Sequence, residues 1–178
     1  MNDLHNRCLD TFPEWLRTLA SDATELGALL ASELPEEARR YVTGGLNYLF
    51  KSLDLIPDGI EDLGYLDDAF VLRVAAQMAL RSPGADQVSV LSRLAGDAAL
   101  ISELLGKDYG RLERYVQGLT RGAARGRSVD EILTNAETRG AFLMELSGWS
   151  SGYAAPTFSR DEKNIIKLQS FLGAKLPQ

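Results

Sequence analysis

Six carboxylates fall within fifteen residues between Asp54 and Asp68, in the stretch D-L-I-P-D-G-I-E-D-L-G-Y-L-D-D, and no Lys, Arg or His lies between Lys51 and Arg73. Carboxylates crowded in this way raise one another's pKa unless backbone N–H groups, a cation or arginines compensate. One chemistry for such a set is hard-oxygen coordination of Mg²⁺ or Ca²⁺ by Asp54, Asp58, Asp67 and Asp68, with water completing the shell. A metal held there, with arginines gripping a phosphate, would make a divalent-metal-dependent hydrolase or transferase. The spacing is not that of an ordinary EF-hand: counting from Asp54, position three is Ile56 and position twelve, where a bidentate glutamate belongs, is Tyr65. The competing assignment is structural. Asp58 and Asp67 are placed to cap helix starts, Asp67 and Asp68 set negative charge at the positive end of a helix dipole, Pro57 fixes a backbone angle, and Gly59 and Gly64 permit positive φ.

The second charged set is basic. Lys107, Arg111, Arg114, Arg121 and Arg125 recur so that, at about 100° per residue, they fall within about 40° of one line on a helix. Leu112, Tyr115, Val116, Leu119 and Ala123 take the opposite side, and Arg127 extends the stripe. Such a face suits an anionic partner: acidic lipid, a phosphate-bearing ligand, nucleic acid or an acidic protein. It could also pair with the acidic segment, within one molecule or between two, or simply be a solvated face.

Other chemistries are thinly supplied. His5 is the only histidine and Cys8 the only cysteine. Histidine-based catalysis is therefore nearly excluded, no disulfide can form within the chain, and no zinc-ligand spacing exists. His5 is expected to be an exposed terminal residue and Cys8 a small apolar contact. The chain has 25 acids against 19 bases, so the six acids of the segment account for the whole formal charge of -6. With a pI near 4.9 it is not expected to bind nucleic acid. No signal segment and no apolar run of about 20 residues is present, which predicts a cytoplasmic protein without a membrane span.

Helical spacing runs through the chain. The stripe Phe12, Trp15, Leu16, Leu19, Ala23, Leu26 and Leu30 predicts a long first helix, entered through Thr11, Pro13 and Glu14. Pro35 should open a second, with Ala38, Tyr41, Val42, Leu46, Leu49 and Phe50 inward. A third is expected from about Asp67 to Arg81, a fourth over Val88–Leu105 closed by Gly106, and a fifth from about Asp108 to Ala124, followed by loose R-G-R-S. Ser128 with Glu131, and Ser159 with Glu162, read as capping boxes opening further helices. Trp149, Tyr153 and Phe158, in the small-residue stretch between those helices, are expected to fold back onto the core. The sum is an all-α, compact bundle of about seven or eight helices in one domain over 1–178, with residues 128–178 as a candidate C-terminal subdomain.

The run Leu53-Asp54-Leu55-Ile56-Pro57-Asp58, followed by Leu63-Gly64-Tyr65-Leu66-Asp67-Asp68 and an apolar helix, resembles the signature of the YkvA-like bacterial domain of unknown function. The resemblance covers residues 45–80. It departs from the family pattern at Glu61, where a second proline is usual, and at Gly59, where a bulky residue is common. It implies a fold segment and brings no established activity; the residues themselves read as helix, tight extended turn, helix. From the residues themselves, the leading expectation is a non-enzymatic interaction or regulatory protein. It would bind a protein partner, or a second copy, through the acidic loop and the basic helix face. The metal-dependent enzyme and a peripheral binder of anionic membrane are the alternatives.

Overall fold

The apolar stripe from Phe12 to Leu26 lies on α1 (Asp3–Gly27), in a computed structural model that describes residues 2–52, 54–56, 59–60 and 63–178. The helix starts eight residues before Thr11. Asn2 caps it by accepting the His5 N–H at 2.7 Å, and Pro13 sits in the helix interior. Pro13 cannot donate to the Leu9 carbonyl. The early turns are held instead by packing, because Cys8, Leu9 and Phe12 are all buried, and tertiary contacts rather than local signals set where a helix begins.

Two helices occupy the centre. In α2 (Glu36–Tyr48) every residue from Tyr41 to Tyr48 is buried, and in α3 (Leu66–Ala79) every residue but Gln77 is. Such close approach depends on two adjacent glycines. A Cβ at Gly45 would lie 3.0 Å from the Ala75 Cβ of α3, and one at Gly44 would lie 3.0 Å from the Leu119 carbonyl oxygen. Around this pair come α4 (Ser89–Leu105), closed at Gly106 with φ 54°, and α5 (Tyr109–Leu119).

Residues past Leu119 do not continue α5 as the stripe predicts. They form a hairpin, β1 (Ala123–Ala124) against β2 (Arg127–Ser128), with Ala124 paired to Arg127. Its two turn residues, Arg125 and Gly126, both have positive φ, at 50° and 78°. That is the geometry of the tight hairpin turn whose twist matches the flanking strands. Then follow α6 (Val129–Thr134), α7 (Ala136–Gly152) and α8 (Glu162–Lys175). The Ser128–Glu131 capping box is formed, whereas α8 is capped by Asp161 rather than Ser159.

The described residues thus give eight α-helices. Ile132, Phe142, Leu146, Ile165, Leu168 and Leu172, from the helices after Ser128, belong to the same continuous core as α1–α5. Residues 153–161 cross α1 in extended form. There the Tyr153 hydroxyl donates to the Leu16 carbonyl at 2.7 Å, and Phe158 meets Phe12 edge-on, so the loop aromatics pack inward. Cys8 is a buried apolar contact whose thiol burial pushes up to about 11. His5 is not a free terminal residue: its Nδ1 lies 2.7 Å from Glu162 Oε1, joining α1 to α8. No helix among the described residues is long and apolar enough to cross a membrane.

Candidate functional site

The acidic segment closes on itself through one carboxylate. Asp67, fully buried in the first turn of α3, accepts the Tyr48 hydroxyl at 2.5 Å and the Ile56 N–H at 3.4 Å. The same Tyr48 oxygen accepts the Leu55 N–H at 2.7 Å. A phenol from the end of α2 and a carboxylate from the start of α3 therefore hold two consecutive amides of the intervening loop. The phenol remains a donor: burial first, and then the Asp67 charge, raise its pKa well beyond the usual range. The short O–H···O distance is that of a charge-assisted bond.

Asp67 is consequently not the cap of α3. That position belongs to Tyr65, at φ 68°, a left-handed conformation that costs a non-glycine residue roughly 1–2 kcal/mol. Its ring packs edge-on against Tyr153 at 5.3 Å, in the segment that crosses α1. Asp68 is buried and Asp54 half-buried. Burial, followed by the charges of Asp54, Asp67 and Asp68, pushes the Tyr115 phenol up to about 12, and the Tyr115 ring meets the Tyr48 ring edge-on at 6.0 Å. Burial, then Tyr65 and Asp68, raises Tyr153 as well. Three of the four candidate metal ligands, Asp54, Asp67 and Asp68, thus act electrostatically on the Tyr115 phenol. Asp58 and Pro57 lie outside the described residues, as do Leu53, Glu61 and Asp62. Gly59 is exposed and Gly64 buried. Among the described residues no group of three or more His, Cys, Asp or Glu side chains is arranged to hold a metal.

The basic residues do not form one face, because α5 ends at Leu119. Arg111 turns inward and clamps the end of α8, donating to the carbonyls of Gly173, Leu176 and Pro177 at 3.0, 2.6 and 2.8 Å. Arg39 and Arg139 do the same for the chain after α1 and for α6, through the Leu34 carbonyl and those of Ile132 and Leu133. Unsatisfied carbonyls at helix ends draw such side chains. Arg125, in the hairpin turn, pairs with Glu145 of α7 together with Arg127. Lys107, Arg114 and Arg121 are exposed and make no ion pair among the described residues.

Sequence reasoning missed a second buried polar cluster. Arg73 of α3 is 1% exposed; its Nε donates to Asp97 at 3.0 Å, an Nη lies 3.5 Å from Asp22, and its guanidinium stacks over Trp15 at 4.3 Å. Asp22, equally buried, also takes Arg93 at 2.8 Å and the Thr18 hydroxyl at 2.9 Å. Burial lowers the Arg73 pKa, opposed by the charges of Asp97 and Asp22. The available signal was a lone arginine inside the apolar run from Ala69 to Leu80, which could be read as an interruption but not assigned partners 51 and 24 residues away.

Residues 38–73 match the model of a family described as "Protein of unknown function (DUF1232)", so the match runs from Ala38 of α2 through the loop that follows and along α3 as far as Arg73. No curated protein and no solved structure matches the chain. Over this segment the chain is similar to a family without an assigned activity, and the Tyr48–Asp67 clamp lies at its centre.

Proposed function

We propose that the chain is a non-enzymatic, cytoplasmic interaction protein in which the acidic loop joining α2 to α3 is a recognition element for a basic protein surface. The observation that carries this reading is the clamp of Tyr48 and Asp67 on the Leu55 and Ile56 amides. Backbone fixed at Leu55 and Ile56 before a partner arrives loses less conformational entropy there on binding. Two of the six carboxylates, Asp67 and Asp68, are consumed inside the molecule. Asp58, Glu61 and Asp62 remain as the charges that the segment between Ile56 and Leu63 carries in sequence. A second copy of the chain is one partner of the required chemistry, through Lys107, Arg114 and Arg121.

The test uses two charge-reversal variants, Asp58→Lys/Glu61→Lys/Asp62→Lys and Arg114→Glu/Arg121→Glu. Sedimentation at low salt reads self-association, and capture from lysate beside the wild type reads other partners. Loss of association in the first variant is expected, with the second affecting only self-association. Unchanged sedimentation and an unchanged set of captured proteins in the first variant would sink the reading.

A further inference from the structure

One cleft gathers charge of the sign opposite to that of the chain. It lies where α2 ends and the hairpin returns, has a volume of about 530 Å³, and is lined by Leu49, Phe50, Lys51 and Ser52 on one side and Ala123, Ala124 and Arg125 on the other. That volume is in the range of sites for small organic ligands. Lys51 makes no ion pair among the described residues. Arg125 lies over the Phe50 ring with Cζ 5.3 Å from its centroid, and it shares Glu145 with Arg127. Lys51 and Arg125 thus bring two cations to the cleft wall, in a chain of formal charge -6. The C-terminal end of α2 opposes them with only about half an elementary charge. Its last carbonyls are also taken already, those of Leu46, Asn47 and Tyr48 accepting the N–H groups of Leu49, Phe50 and Lys51. The positive excess therefore survives.

A second, independent observation lies beside it. A pocket of about 10 Å³, lined by Asn47, Lys51 and Ala123 among others, adjoins the cleft through the two residues they share. It is about the size of one water. Asn47 is 4% exposed; its Nδ2 donates to the Arg127 carbonyl at 3.2 Å, while its Oδ1 is buried without a hydrogen-bond partner among the described residues. A buried amide oxygen calls for a donor, and a water there could satisfy it while donating its other hydrogen to an anion in the cleft.

We propose that this cleft binds a phosphomonoester dianion. The Lys51 ammonium and the Arg125 guanidinium bracket the phosphate, Ser52 Oγ donates to it, and the Leu49 and Phe50 side chains provide an apolar wall for the ester group. Two cations from different elements match a dianion better than a carboxylate, and the planar guanidinium suits phosphate oxygens. Of the stripe that sequence spacing put on one helix, only Arg125 contributes, and Lys51 supplies the second charge. No carboxylate of the 54–68 loop takes part, so the site is independent of the recognition-loop reading.

The experiment titrates inorganic phosphate into the full-length protein at low ionic strength and about pH 8, where the dianion dominates, following backbone amide resonances. Saturable shifts at Lys51, Ser52, Ala124 and Arg125 are expected. Lys51→Glu should weaken binding about tenfold or more, while Lys167→Glu, the same charge change at an exposed cation of α8 outside the cleft, should stay within about twofold. Ser52→Ala, which alters no charge, should weaken it about threefold and covers the case in which Lys51→Glu is poorly folded. Absence of saturation, equal weakening by the two lysine variants, or equal shifts with chloride would overturn the site. A parallel arm uses phosphatidylcholine vesicles carrying phosphatidic acid. Vesicle binding that phosphate displaces places the dianion on a lipid headgroup; saturable phosphate binding without vesicle binding makes a free ester the ligand, and either upholds the site.

Discussion

Two polar clusters sit inside this core, and they differ in who donates. At the corner between α2 and α3, the donors to Asp67 that fix the loop are neutral, the Tyr48 phenol and the Ile56 amide. At the junction of α1, α3 and α4, the buried donor is a charged guanidinium: Arg73 faces Asp22 and Asp97, and Arg93 closes the network from the surface. Neutral directional donors fix the course of a short irregular backbone. Long charged side chains span elements and bolt helices together across 3.0–3.5 Å contacts. The first cluster therefore determines a local conformation and the second the assembly of the bundle, and their loss should look different.

The largest effect is expected from breaking the helix junction. Arg73→Met leaves Asp22 buried with Arg93 and Thr18 as its remaining neighbours and should cost about 3–5 kcal/mol, read as a lower denaturant midpoint with an unchanged slope. Adding Asp22→Leu should recover much of that loss, since an apolar replacement of both partners removes the uncompensated charge. A double variant no more stable than the single one would show that the network holds the helices by more than charge compensation.

Tyr48→Phe tests the other cluster. It leaves Asp67 and the Leu55 amide short of a partner and should cost about 2–3 kcal/mol. Here the discriminating readout is local: hydrogen exchange at Leu55 and Ile56 should accelerate far more than exchange in α1 and α4. Uniform acceleration would mean that the clamp supports the whole core, and the contrast between the clusters would collapse.

The clamp and the junction were unequally legible. The helix faces of α2, α3 and α4 follow from apolar spacing, and Gly106 marks the end of α4 and the Ser128–Glu131 box the start of α6 correctly. Carboxylates 54–68 announce that something must compensate them, but the compensating phenol of Tyr48 lies on α2 and carries no local mark. Asp67 reads as a cap because capping is the commonest local use of that residue type at a helix start, whereas its buried environment exists only once α2 lies against α3. Thr11-Pro13-Glu14 fails for the same reason, a strong local start signal overridden by the burial of Cys8 and Leu9. The hairpin at 123–128 is too short to show alternation, and its turn uses Arg125 where Asn or Asp is usual.

Titration sharpens the comparison further, because the clamp carboxylate Asp67, with Asp54 and Asp68, acts on Tyr115. Its pKa is raised from 10.0 to about 12, burial being the first cause and Asp54, Asp67 and Asp68 the next. A raised pKa means the folded state holds the phenol proton more tightly, so its contribution to stability is complete below pH 10 and is lost as pH rises through about 12. Denaturant midpoints should therefore fall across that window. Tyr109, raised to about 12 by burial and then Glu113, adds to the same slope. Tyr115→Phe should flatten the decline, and Asp54→Asn should lessen the phenol shift seen in phenolate absorbance.

The smallest expected effect separates two arginines that sequence spacing treated alike. Arg111 donates to three carbonyls at the end of α8 and is mostly buried, whereas Arg114, one turn on, is exposed and makes no ion pair among the described residues. Arg111→Ala should cost about 1–2 kcal/mol and speed amide exchange in the last turn of α8. Arg114→Ala should stay within about 0.5 kcal/mol, as surface substitutions usually do. Lysine at 111 should recover only part of the loss, because a single ammonium cannot reproduce the fork that spans three carbonyls. Equal costs at 111 and 114 would make the cations of α5 a common electrostatic face after all. Unequal costs tie Arg111 to helix termination, the job that Arg139 also performs, and leave Lys107, Arg114 and Arg121 as the cations that stability does not require.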